Sequence, residues 1–190
     1  MPPADSRIMG KNAVILDDED SSALESTLAA LRSGELFVYP TDTLYGFGGD
    51  ARSGECIAEL YDIKRRPQSM PVSMLVHSGE MITEYARVTQ AAGMLIRHFL
   101  PGALTLVLPA ARRSRELPEK LLQRAGRLPR LSHRRSPSSR KRVTEAFPYP
   151  VISTSVNISG MKAMHRIAEI EECFGKNFRC SFVTGHWKKA

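Results

Sequence analysis

Cysteine is scarce in this chain, long hydrophobic runs are missing, and the common nucleotide- and metal-binding signatures do not occur. The three cysteines, Cys56, Cys173 and Cys180, are odd in number and widely spaced. That spacing excludes a disulfide framework and a paired-ligand zinc site. No stretch approaches the roughly 18 consecutive apolar residues of a membrane span. The opening MPPADSRIMGKNAV lacks the apolar core of a secretory signal. The expectation is a cytoplasmic protein with no membrane partner. Gly46, Gly48 and Gly49 do not make G-x-G-x-x-G, no G-x-x-x-x-G-K-[ST] exists, and no serine sits in a G-x-S-x-G elbow. His77, His98, His133, His165 and His186 have no i, i+4 partners, so no protein-bound metal is expected. Any nucleotide chemistry must use a less common architecture.

What is present is ordinary in bulk and lopsided in detail. A chain of 190 residues suits one domain with a real core. Its 42% hydrophobic and 25% charged content is that of a soluble globular protein. The net charge of +7 is misleading, because one segment carries it. Between Arg112 and Arg142 lie 12 basic and 2 acidic residues, which leaves 15 basic and 18 acidic for everything else.

Apolar periodicity marks the elements. Ser22 to Glu25 has capping-box spacing, Leu24, Leu28 and Leu31 follow on one helical face, and Gly34 is a stop. Leu36 to Tyr39 reads as a strand. Ser53 caps a helix that buries Ile57, Leu60 and Tyr61 and ends at Lys64, and Val72 to Val76 reads as the next strand. A short helix over Gly79 to Ala86 precedes a longer one from Ala91 to Leu100, with Leu95 and Phe99 facing inward. Ala103 to Leu108 reads as a buried strand, Val151 to Thr154 as another. A helix carrying Ile167, Ile170 and Phe174 and a last strand from Phe178 to Val183 complete the series. Alternating strands and helices imply an α/β sheet. Within the basic segment only Leu117 to Leu122 suggests helix. From Gly126 to Arg142 arginine, serine and proline leave almost no pattern, as in a solvated loop or an arm touching RNA phosphates.

Three constellations could carry chemistry. Thr41, Asp42 and Thr43 follow a strand and a proline, and either project from a loop or satisfy local backbone as an ST- or Asx-turn. Lys64 and Arg66 stand two apart at a helix exit. They form either a solvated cationic face or the ammonium and guanidinium fork that a triphosphate requires. Ser153 to Gly160, STSVNISG, places several hydroxyls and one amide where a strand ends. That makes either an ordinary strand cap or a neutral hydrogen-bonding rim.

Taken in order, PTDTLYG, IKRRP, PGALTLVL and STSVNISG resemble the motifs of the YrdC-like family of threonylcarbamoyl-adenylate synthases. The resemblance covers roughly residues 12 to 111 and 143 to 175. It implies a twisted mixed or parallel α/β sheet with flanking helices around a large cationic cavity, in one domain over residues 1–190. It also implies a nucleotidyltransferase that uses L-threonine, bicarbonate or CO2, and ATP with Mg²⁺, and releases pyrophosphate. The product would go to a partner transferase that modifies tRNAs reading ANN codons. By position, Thr43 and Ser155 would meet L-threonine, Lys64 and Arg66 the ATP phosphates and the chemistry, and Asn157 the nucleotide.

Two departures stand out. The family's T-[VI]-x-[VIF]-R-[IVL]-P run is replaced by RAGRLPRLSHRRSPSSRKR, so a strand is expected to be missing there, although Arg127, Arg130 and Arg135 remain. The family's S-T-[VI]-[VI] strand near the C-terminus is also absent, which reads as an atypical or truncated end over residues 176–190. Segment 112–142 is accordingly atypical, with the preserved length and lost periodicity that a shifted reading frame leaves. The alternative function is a non-catalytic module of the same fold that binds tRNA or double-stranded RNA. That module would show strong salt dependence and no turnover.

Overall fold

The alternation read from the sequence builds one mixed sheet with helices packed against it. The computed structural model describes residues 14–17, 21–41, 44–102, 104–121, 127–132, 143–174 and 181–184. Within them the strands are β1 (Val14–Asp17), β2 (Phe37–Pro40), β3 (Tyr45–Gly48), β4 (Ser73–Leu75), β5 (Thr105–Pro109), β6 (Arg127–Ser132), β7 (Val151–Ser155) and β8 (Ser181–Thr184). Their order across the sheet is β1-β8-β2-β3-β7-β4-β6-β5. Strand β8 is parallel to both β1 and β2, β6 is parallel to β4, and the other pairs are antiparallel. The helices are α1 (Ser21–Ser33), α2 (Gly54–Ile63), α3 (Gly79–Tyr85), α4 (Gln90–Phe99) and α5 (Ile167–Phe174), with 3-10 turns at Arg112–Glu116 and Glu119–Leu121. The mixed α/β architecture is as expected.

Local chemistry sets the central turns. Gly34 ends α1 at φ +72°, a left-handed position that glycine adopts without a side-chain penalty. Ser53 caps α2 by accepting a hydrogen bond from the Cys56 amide, and Cys56, Ile57, Leu60 and Tyr61 are buried beneath it. The glycine-rich run after Leu44 is strand β3, hairpinned onto β2. Gly46 stands opposite Tyr39 and Gly48 opposite Phe37. A Cβ on Gly48 would lie 2.4 Å from the Phe37 ring, and one on Gly46 3.2 Å from the Tyr39 ring. The glycines therefore do not turn the chain. They make room for two aromatic rings across the strand.

Three other expectations change. A strand, β6, occupies the basic segment between β4 and β5, pairing Leu131 with both Met74 and Leu106. Backbone ladders on both sides supply what the side-chain pattern did not signal, because strand formation depends heavily on its neighbours. Strand β5 is not fully buried. It lies at the sheet edge, with Leu106 and Leu108 inside and Val107 50% exposed. Leu95 and Phe99 of α4 face outward, at 41% and 59% exposure, since of this helix only Ala92 is buried. Ile96 packs against the core, while Leu95 and Phe99 stay exposed among the described residues. No described helix is long and apolar enough to cross a membrane.

Candidate active site

The site forms where α2 ends beside the end of β7. Helix α2 closes with Lys64 as its cap and Arg65 in the left-handed region at φ +46°. The Arg65 amide donates to Asp62 O and the Arg66 amide to Tyr61 O, which together make a Schellman closure. A residue with a Cβ costs about 1 kcal/mol in that conformation. The closure turns Lys64 inward and places Arg66 on the loop that follows.

Lys64 is 1% exposed, a degree of burial rare for lysine. Its Nζ donates to Ser155 O at 2.5 Å, Asn157 O at 3.0 Å and Asn157 Oδ1 at 2.7 Å. The Phe47 ring centroid lies 5.5 Å away, within cation–π range. The Lys64 carbonyl in turn accepts from the Ser159 amide at 2.8 Å. Residue 64 therefore ties α2 to the segment after β7 through both side chain and backbone. Burial, helped by the nearby Arg66 charge, pulls the Lys64 ammonium down from 10.5 to about 7. The three oxygens act the other way, because an ammonium has three N–H donors and a neutral amine only two.

Asn157 is the hub of the rim. Its Oδ1 accepts from both Lys64 and the Ser155 hydroxyl, at 2.7 and 2.9 Å, and its Nδ2 donates to Met161 O at 2.6 Å. Arg66 is half-buried and holds its own loop, Nε donating to Met70 O at 3.0 Å and Nη2 to Pro71 O at 2.7 Å. The Tyr61 hydroxyl donates to the same Met70 carbonyl. Burial raises the Tyr61 phenol above its usual range, against the opposing pull of Arg66. Among the described residues neither Lys64 nor Arg66 meets a carboxylate.

Lys64, Ser155 and Asn157 are thus in direct contact, with Arg66 two residues along the chain. Thr43 and Asp42 lie outside the described residues. Thr41 is bound locally, its hydroxyl donating to Leu44 O and accepting from the Leu44 amide, which is the ST-turn reading. Of the arginines in the basic segment, Arg127 and Arg130 belong to β6, and Arg135 lies outside the described residues.

Sequence reasoning passed over the Tyr39 hydroxyl and gave Ser153 and Ser159 no individual role within their constellation. Tyr39, Gly46 and Ser155 stand opposite one another across β2, β3 and β7 and so share a sheet face. The Tyr39 hydroxyl donates to Ser153 Oγ at 2.9 Å, beside the glycine gap. Ser159 Oγ is buried with no hydrogen-bond partner among the described residues, although its amide sits on Lys64. The period-two spacing of Ser153 and Ser155 was a legible signal. The reach of Tyr39 over Gly46 was not. No group of three or more His, Cys, Asp or Glu among the described residues could hold a metal ion.

The Sua5_yciO_yrdC family model, described as "Telomere recombination", matches residues 29–189. A Mycobacterium leprae relative is 42% identical over 92 residues, which is 48% of this chain and 42% of that protein. The chain thus spans less than half the length of this relative. The threonylcarbamoyl-AMP synthase of Pseudoalteromonas translucida is 28% identical over 159 residues, 82% of each chain. The crystal structure of Pyrococcus abyssi Sua5 complexed with L-threonine superposes with a TM-score of 0.78 at 23% identity, covering 92% of this chain and 50% of that one. At that identity the likeness speaks for the fold.

Proposed function

The chain belongs to the Sua5/YciO/YrdC family, and from that premise we propose that it makes threonylcarbamoyl-adenylate from L-threonine, bicarbonate or CO2, and ATP. The observation that carries this reading is the contact of Lys64 with Asn157 and Ser155 at the end of β7. It joins a cation that no described carboxylate balances to a neutral hydroxyl–amide rim. A highly charged triphosphate needs the first, and the polar groups of an amino acid need the second.

The threonine amine adds CO2 to give a carbamate and releases a proton. One carbamate oxygen attacks the α-phosphorus in line, the bond to the bridging oxygen breaks, and pyrophosphate leaves. Lys64 and Arg66 supply the positive potential that stabilises the charge on the leaving group. Ser155, together with Thr43, meets threonine, and Asn157 meets the nucleotide. Mg²⁺ enters as part of the MgATP substrate. Catalysis is then chiefly positioning and electrostatics. The product passes, in the cytoplasm, to a transferase acting on tRNAs that read ANN codons.

The test is pyrophosphate release from ATP with threonine and bicarbonate each present or omitted. Release that depends on both is expected. Folded protein that releases none, or that releases it equally without threonine, sinks the reading.

A further inference from the structure

Lys64 has no donor left to give a ligand in this structure. Its three N–H groups end on three oxygens of residues 155 and 157, and the residue is 1% exposed. Its effect on the rim is nonetheless specific. An ammonium can only donate and the Met161 carbonyl can only accept, so together they fix which end of the Asn157 amide is oxygen. With Oδ1 taken by Lys64 and by the Ser155 hydroxyl, the Ser155 oxygen keeps its lone pairs for an incoming donor. Asn157 Nδ2 spends one N–H on Met161 O and keeps one for an incoming acceptor. Arg66 differs. It is half-buried, held through Nε and Nη2 by the Met70 and Pro71 carbonyls and interacting with the Tyr61 hydroxyl, so its guanidinium is less enclosed than the Lys64 ammonium.

We propose that Lys64 is a positioning residue: its ammonium sets the donor–acceptor polarity of Ser155 on the amino-acid side of the site and of Asn157 on the nucleotide side, while direct contact with phosphate falls to Arg66. The substrates named here rest on the synthase reading above; the geometry does not. The polarity matters because the ammonium and hydroxyl of threonine need acceptors, and Ser155 offers both of its lone pairs while its own proton points at Asn157. A flipped amide would present an N–H to that hydroxyl and reverse the rim.

Steady-state kinetics of Lys64→Met and Arg66→Met, with threonine and ATP varied in turn, test the division of labour. Methionine keeps the unbranched stem against Phe47 without the charge. Lys64→Met is expected to raise the KM for threonine at least tenfold at saturating ATP. Arg66→Met is expected to raise the KM for ATP at least tenfold and leave that for threonine within twofold. An unchanged threonine KM in Lys64→Met overturns the proposal. If the wild type shows no threonine-dependent turnover, the synthase reading fails by itself and ligand-free hydrogen exchange decides. The Asn157 side-chain amide and the backbone amides of 156–161 should then exchange at least tenfold faster in Lys64→Met, and equal rates overturn the proposal. Should Lys64→Met not fold, wild-type protein titrated with inorganic pyrophosphate gives the answer. An Arg66 guanidinium signal that moves while the Lys64 ammonium signal stays supports the assignment, and the reverse overturns it.

Discussion

The two ends of strand β7 carry cations of the same kind under opposite rules. At the Val151 end, Asp50 forms a backbone bridge to Val151, and Arg52 grips the Asp50 carboxylate with Nε at 3.1 Å and Nη2 at 2.8 Å. The Arg52 guanidinium lies 3.1 Å from the Tyr149 ring centroid. Arg113 packs near the Tyr85 ring and pairs with Glu84 and Glu116. Burial alone would lower the Arg52 pKa, and the Asp50 carboxylate overrides it and raises it. At the Ser155 end Lys64 and Arg66 are held by uncharged oxygens and meet no carboxylate among the described residues. A cation closed by a carboxylate fixes structure. One held by neutral oxygens keeps its positive potential uncancelled, which favours an anion nearby even where, as at Lys64, every donor is already engaged.

The comparison can be broken in order of effect. Lys64→Ala at the open end should lower threonine-dependent pyrophosphate release at least about 100-fold, the usual scale for losing a charge-stabilising group. A rate within threefold of wild type would mean that the open end is not the working one. At the closed end Asp50→Asn should cost about 1 kcal/mol of stability, since it exchanges a charged bidentate pair for a neutral contact while Arg52 stays partly exposed. Activity per folded molecule should stay within twofold, and a large loss in kcat without unfolding would erase the distinction between the ends.

The remaining test is the pH dependence of stability. With Lys64 at about 7 in the folded chain and 10.5 in the unfolded one, the unfolded chain binds more protons between those values. The burial penalty is therefore full below pH 7 and is relieved as pH rises toward 10.5. The Tm of wild type minus that of Lys64→Met should be flat below pH 7 and climb above it. A difference that stays flat across that window would mean that the three oxygens hold the proton on.

How much of this was legible depended on how local the cause was. Helix α2 could be read in full, because its cap Ser53, its buried Ile57, Leu60 and Tyr61 and its exit at Lys64 all lie within a dozen residues. The S-x-N pair was legible as chemistry but not as a partner of Lys64, some ninety residues earlier in the chain. Strand β3 was hidden because its glycines look like a turn until Phe37 and Tyr39 are placed opposite them. Strand β6 was hidden because RLPRLS has no clean alternation and is specified by its neighbours on both sides. Leu95 and Phe99 show the converse error: helical spacing of apolar residues says that a face exists, and not that anything covers it.

By itself the sequence determined the local business of this protein: where helices start and stop, which runs extend, and that cations and hydroxyls occur at the ends of those runs. Tertiary structure alone decided which cations meet carboxylates and which meet neutral oxygens. That choice depends on strand order, which brings Ser155 beside Gly46 and Asn157 beside the end of α2. The energy of a charge is set by whatever the fold gathers around it in three dimensions, and spacing along the chain does not record that.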